Sequence, residues 1–90
     1  MPMPGGYFET LPDARVAKAE EVAIDAIKEQ YGGDVTVEKV ERQVVAGTNY
    51  RIHLRAGDTK YLVVVFESLP INETTFTVSS VEKLPDSTAR

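Results

Sequence analysis

The hydrophobic period changes once along this chain, at Gly32 and Gly33, and that change leaves few folds open. Upstream, Val16, Ala19, Ala23, Ala26 and Ile27, flanked by Val22, Ile24 and Tyr31, recur at about 100° per residue, while Lys18, Glu21, Asp25, Lys28 and Glu29 take the other side. One amphipathic helix over about 11–31 is expected. Thr10 is placed to cap it, and Pro12 falls in the first turn, where its missing N–H costs nothing. Asp13, three residues after that cap, favours the positive end of the macrodipole, and the paired glycines supply a left-handed stop.

Downstream the period falls to two and the residues become β-branched. Val35, Val37 and Val40 open a strand whose alternation slips once between Val37 and Val40, which predicts a bulge before the strand ends near Val45. Tyr50, Ile52, Leu54 and Ala56 alternate with Asn49, Arg51, His53 and Arg55, the pattern of a sheet with one wet face. After a turn at Gly57 and Asp58, the run 61–66 is apolar on both faces and reads as a central strand. A break around 68–72 precedes a last strand over 74–83, in which Phe76 and Val78 share a face with Thr74 and Ser80. Residues 1–9, rich in proline and glycine, form a flexible or extended arm, with room for a short extra strand before the helix, and 85–90 form a polar, frayed end. A lone helix must cover the apolar face of four antiparallel strands, so residues 1–90 make a single α+β domain of two layers.

Composition narrows the function. Ninety residues suit one small domain, and with no cysteine there is no disulfide framework, thiolate zinc site or catalytic thiol. Fourteen acids against ten Lys and Arg argue against nucleic acid as a partner, because phosphate backbones are held by clustered cations. No apolar run reaches the roughly 20 residues that span a bilayer, so no membrane contact is expected. The first residues lack the basic and apolar regions of a signal peptide, which together with the missing cysteine points to the cytoplasm.

For an enzyme the chain supplies little. His53, the single imidazole, lies mid-strand between Arg51 and Arg55 on the polar face and reads as a solvated histidine without the partner a general base needs. No nucleophile elbow, P-loop or zincin pattern is present. Glu20, Glu38, Glu41 and Glu67 have no spacing that requires a catalytic pair, and no cofactor or metal is called for. Asn72, Glu73 and Thr74 match a glycosylation acceptor but read as a turn.

Apolar and glycine residues stand out where a soluble domain is usually polar. The arm carries Pro4, Gly5, Gly6 and Tyr7; the first hairpin connection reads Gln43, Val44, Val45, Ala46, Gly47; and a second connection carries Leu69 and Pro70. Two readings are open at this point: the valines end a strand, or they form a small apolar edge that a partner buries.

At these residues the chain closely resembles the cystatin family of reversible inhibitors of papain-like cysteine proteases, and within it the stefins. The Gln-x-Val-x-Gly pattern at Gln43, Val45 and Gly47 would arise by chance in roughly one chain in fifty of this length, so it does not carry the resemblance alone. The likeness continues in register through 47–50, 55–58, Lys60 and Tyr61, and 65–70, and is weakest in the helix and after Asn72. Small size and absent cysteine fit stefins better than disulfide-bonded cystatins, and the helix lacks the Leu-Ala-Arg-Phe-Ala type signature of plant cystatins.

The resemblance implies a cystatin-like fold: a strand, a long helix and four strands wrapped round it. It also implies a wedge of arm and two hairpin loops that occludes the cleft of a cathepsin-type protease, reversibly, tightly and without covalent chemistry. Pro4, Gly5, Gly6, Gln43, Val44, Val45, Ala46, Gly47, Leu69 and Pro70 are the protease-binding residues so implied. Met3 and Pro4 would lie in the non-primed subsites, Leu69 and Pro70 on the primed side, and Gln43 would brace its loop. The expected state is a monomer, with a domain-swapped dimer as the alternative because valines sit at a tight turn. A non-inhibitory interaction domain that keeps the fold is the alternative function.

Overall fold

The computed structural model describes residues 6–68 and 74–84. Its elements run β1 (Phe8–Glu9), α1 (Ala14–Tyr31), β2 (Val35–Val45), β3 (Gly47–Ala56), β4 (Thr59–Glu67) and β5 (Phe76–Lys83). The five strands form one antiparallel sheet in chain order, and α1 lies across one face of it. This is the α+β arrangement expected from the change of period.

The helix starts later than the sequence pattern implies. Asp13, not Thr10, is the N-cap: its carboxylate accepts the Val16 N–H at 2.8 Å, and Pro12 stays outside the helix. Thr10 is held elsewhere, its N–H donating to the Val40 carbonyl at 3.1 Å as an extension of β1. An extended residue bonded to a neighbouring strand is not available to begin a helix. Gly32 ends α1 at φ 73°, with its N–H on the Lys28 carbonyl at 2.8 Å.

Val16, Ala19, Ala23 and Ile27 are the buried helix residues, and the two alanines let α1 settle close to the sheet. They meet Tyr50, Ile52 and Leu54 of β3, Tyr61, Val63 and Val65 of β4, and Val40 of β2 in one core. Register slips between Val37 and Lys39, the bulge expected from the broken alternation, and this keeps both Val37 and Val40 on the helix side.

A second slip, between Val64 and Val65, faces β5 and is not visible in the pattern. It pairs Val78 with Val65 but Val81 with Val63, so Val81 joins Phe76 and Val78 against the core. Ser80, expected on that face, instead stands opposite Val64 on the other. Apolar on both faces as read, β4 is interior but second from the edge; β3 is the middle strand. No helix among the described residues is long and apolar enough to cross a membrane.

Candidate functional site

The ladder brings three segments to one end of the sheet. Val45 pairs with Gly47 across a connection of one residue, Ala46, so β2 and β3 meet in a very tight hairpin tip. Phe8 pairs with Arg42 and Glu9 with Glu41 in antiparallel sense, so the chain traced back from Phe8 runs toward that tip. Glu67 pairs with Thr48, so Ser68 leaves β4 at the same end. Phe8 and Glu9, the last two residues of the expected arm, are strand.

Of the residues singled out in the sequence, Val44 and Val45 lie at the tip with 59% and 43% of their surface exposed, and Ala46 is exposed beside them. The valines do end a strand, and they are also an uncovered apolar edge. Gly6 is exposed, Gln43 half-buried and Gly47 buried. Pro4, Gly5, Leu69 and Pro70 lie outside the described residues, as do Asn72 and Glu73.

Two contacts hold the tip from beneath. Asn49 donates its side-chain amide to Gln43 Oε1 at 2.8 Å, bridging β2 and β3 two positions below the turn. Gly47 has φ 108°, and a Cβ there would stand 2.6 Å from the Phe66 ring and 2.7 Å from the Glu67 carbonyl. A glycine is required twice over, by the backbone conformation and by the space.

Under the same end, on the helix face, lies a polar network. Glu67 is nearly buried and accepts from Arg15 Nη2 at 2.7 Å, from Arg15 Nε at 3.0 and 3.1 Å, and from the Tyr50 hydroxyl at 2.8 Å. Arg15 Nη2 also donates to Thr48 Oγ1 at 3.2 Å. Burial alone would push the Glu67 carboxyl up, but the bonds from Arg15 and Tyr50 and the charges of Arg15 and Arg42 outweigh it and hold it below the ordinary range. Tyr50 is pushed up to about 12 by burial and by the carboxylate it donates to. Arg42 lies over the Tyr50 ring, 5.4 Å from its centroid, and reaches Asp13 at 3.2 Å. The N-terminal turn of α1 is thereby tied to β2, β3 and β4 directly below the tip.

A second cluster sits on the opposite, outer face. Glu41 Oε1 accepts from Arg51 Nε at 2.8 Å and lies 3.0 Å from His53 Nε2, while Lys39 Nζ stands 3.6 Å from Oε2. The bonds from Arg51 and His53, with the charges of Arg51 and Lys39, hold the Glu41 carboxyl at about 2 against some loss of solvent. His53 is thus partnered, but by a carboxylate saturated with cations. Glu41 and Glu67 face opposite sides of the sheet and form no catalytic pair. Among the described residues, no group of three or more His, Asp or Glu side chains is placed to hold a metal ion.

Sequence reasoning passed over Arg15, Thr48, Tyr50 and Arg42 as support for the tip. One signal was present: Glu67 continues the alternation of Tyr61, Val63 and Val65, and an acid in core phase must find a cation.

The cystatin domain family model matches residues 25–86, well over half the chain. This chain belongs to the cystatin family. Human cystatin-A is 40% identical to it, over 76% of this chain and 74% of the human protein. In this cystatin the matched span contains the hairpin tip with Gln43 and Asn49 below it, Glu67 of the inner network, and the outer Glu41 cluster; Asp13 and Arg15 lie upstream of it.

Proposed function

We propose that this cystatin is a reversible, tight-binding, non-covalent inhibitor of papain-like cysteine proteases, acting as a monomer that fills the catalytic cleft with the arm, the first hairpin tip and the loop after Ser68. The observation that carries the reading is the exposed apolar tip, Val44, Val45 and Ala46, standing at the end of the sheet toward which the arm runs and from which Ser68 departs. Covering a valine completely is worth roughly 1.5–3 kcal/mol, so two valines already about half covered contribute on the order of 2 kcal/mol before association costs.

Rigidity adds to this. The Gln43 to Asn49 bond and the glycine-only turn limit the entropy lost when the tip is seated. A wedge that offers no peptide carbonyl in line with the nucleophile leaves the protease nothing to acylate. The cysteine-free chain also offers a reactive thiolate no partner for disulfide exchange.

Titration of papain or a cathepsin-type protease with the purified chain tests the proposal. Stoichiometric, reversible loss of activity is expected, and Val45→Asp should weaken it by on the order of 100-fold with an unchanged melting temperature, since a carboxylate would be buried unpaired. Full protease activity at micromolar concentrations of the chain would refute the reading and leave an interaction domain without inhibitory function.

A further inference from the structure

Tyr7 immediately precedes β1, and it does not hang free. Its ring is half-buried, with the Arg51 guanidinium carbon 4.0 Å from the ring centroid. Tyr7 is two residues from Glu9, which pairs with Glu41, which in turn pairs with Arg51; the contact therefore reaches from the residue before β1 across β2 to β3 on the outer face. Arg51 is itself fixed, because Glu41 Oε1 accepts its Nε–H at 2.8 Å, while His53 Nε2 lies 3.0 Å from the same oxygen and Lys39 Nζ 3.6 Å from Oε2.

The backbone alone ties the arm down weakly. β1 has two residues, and beyond it only the Thr10 N–H on the Val40 carbonyl adds a ladder bond. A two-residue edge strand opens readily on its own. A planar cation locked in place by a carboxylate and covered by an aromatic ring provides what the short ladder lacks.

We propose that Tyr7, Arg51 and Glu41 form a clamp that anchors the root of the arm and sets its course toward the hairpin tip, making Tyr7 and Arg51 positioning residues for protease binding. The use of the clamp rests on the inhibitor reading above; its existence does not. By pinning the chain at Tyr7, it reduces the freedom that this residue and its neighbours Gly6 and Phe8 lose when a protease is bound.

The test uses the full chain with Tyr7→Ala, Arg51→Met, the double variant, and Tyr7→Phe, which keeps the ring. Amide exchange followed by NMR reads the Thr10 N–H in the free protein. It should exchange about 2- to 5-fold faster in each single variant, no faster in the double, and at the parent rate in Tyr7→Phe. Inhibition constants for a papain-like protease should rise by the same 2- to 5-fold with the same lack of additivity. Unchanged Thr10 exchange in Tyr7→Ala would overturn the clamp. Additive effects on inhibition would overturn the positioning role, since they mean that Tyr7 touches the protease independently of Arg51. Should Arg51→Met fail to fold, Tyr7→Ala against Tyr7→Phe decides the matter. If the parent chain does not inhibit, the inhibitor reading and the arm's part in it fail, and exchange alone still judges the clamp.

Discussion

Replacing Glu67 by glutamine keeps the shape of the side chain and removes its charge beneath the hairpin tip. The carboxylate is 9% exposed and accepts four close contacts from two donor groups, Arg15 and the Tyr50 hydroxyl. Glutamine can keep its oxygen where Oε1 meets Arg15 Nη2 and Tyr50. Its amide nitrogen then faces Arg15 Nε, donor against donor, at the 3.0 Å position. Bonds to a charged group contribute about 1.5–3 kcal/mol against about 0.5–1.5 for neutral ones, and Arg15, 53% exposed, recovers part of the loss by turning to water. A net cost of about 2 kcal/mol follows, or a melting temperature lower by roughly 10 °C for a domain of this size. The pH dependence supplies the control. Because the folded-state carboxyl is held below its ordinary range, its contribution is complete above that range and is lost as pH falls through the folded value. Thermal unfolding by circular dichroism should therefore show a gap between parent and variant at pH 7 that closes on acidification. A glutamine variant as stable as the parent, or a gap that stays constant down to pH 3, would refute the assignment.

Three further outcomes follow from the same geometry. Gly47→Ala should cost about 2–3 kcal/mol in denaturant unfolding, because its Cβ would press on the Glu67 carbonyl at a φ that side chains avoid; an unchanged midpoint would mean that the tip relaxes freely. Glu41→Gln should destabilise at neutral pH and match the parent near pH 2, since a carboxyl lowered from 4.5 to about 2 stabilises fully above the higher value and loses its effect on falling through the lower; a gap that persists at pH 2 would deny the Arg51 and His53 contacts their role. Partial heating should yield a strand-exchanged dimer on size-exclusion chromatography, with protease inhibition lost, because opening at Ala46 joins β2 and β3 into one strand whose ladder pairs can re-form between two molecules; a sample that stays monomeric through the transition would exclude the exchange.

The elements were legible because hydrophobic period encodes which face of a helix or strand is buried. Val16, Ala19, Ala23 and Ile27 announce the helix, and the slip between Val37 and Val40 announces the first bulge. The second bulge stayed hidden because Val78, Ser79, Ser80 and Val81 fit more than one phase, and only pairing with β4 selects among them. The cap moved from Thr10 to Asp13 for a related reason, since a hydroxyl and a carboxylate three residues apart both satisfy a capping pattern while only one is free of the neighbouring strand.

At the candidate site the division is similar. The sequence by itself determined the parts of the tip: the apolar residues Val44, Val45 and Ala46, the glycine that the turn requires, and the glutamine beside it. Only the tertiary structure decided what holds them. Arg15 and Glu67 are 52 positions apart, Asp13 and Arg42 are 29 apart, and Tyr7 meets Arg51 across an intervening strand. A charged residue's type says that it needs a counterion and nothing about which one, because that choice depends on register, twist and the angle at which the helix crosses the sheet. Those quantities belong to the assembled domain, in which burial converts ordinary surface residues into the braces of an exposed edge.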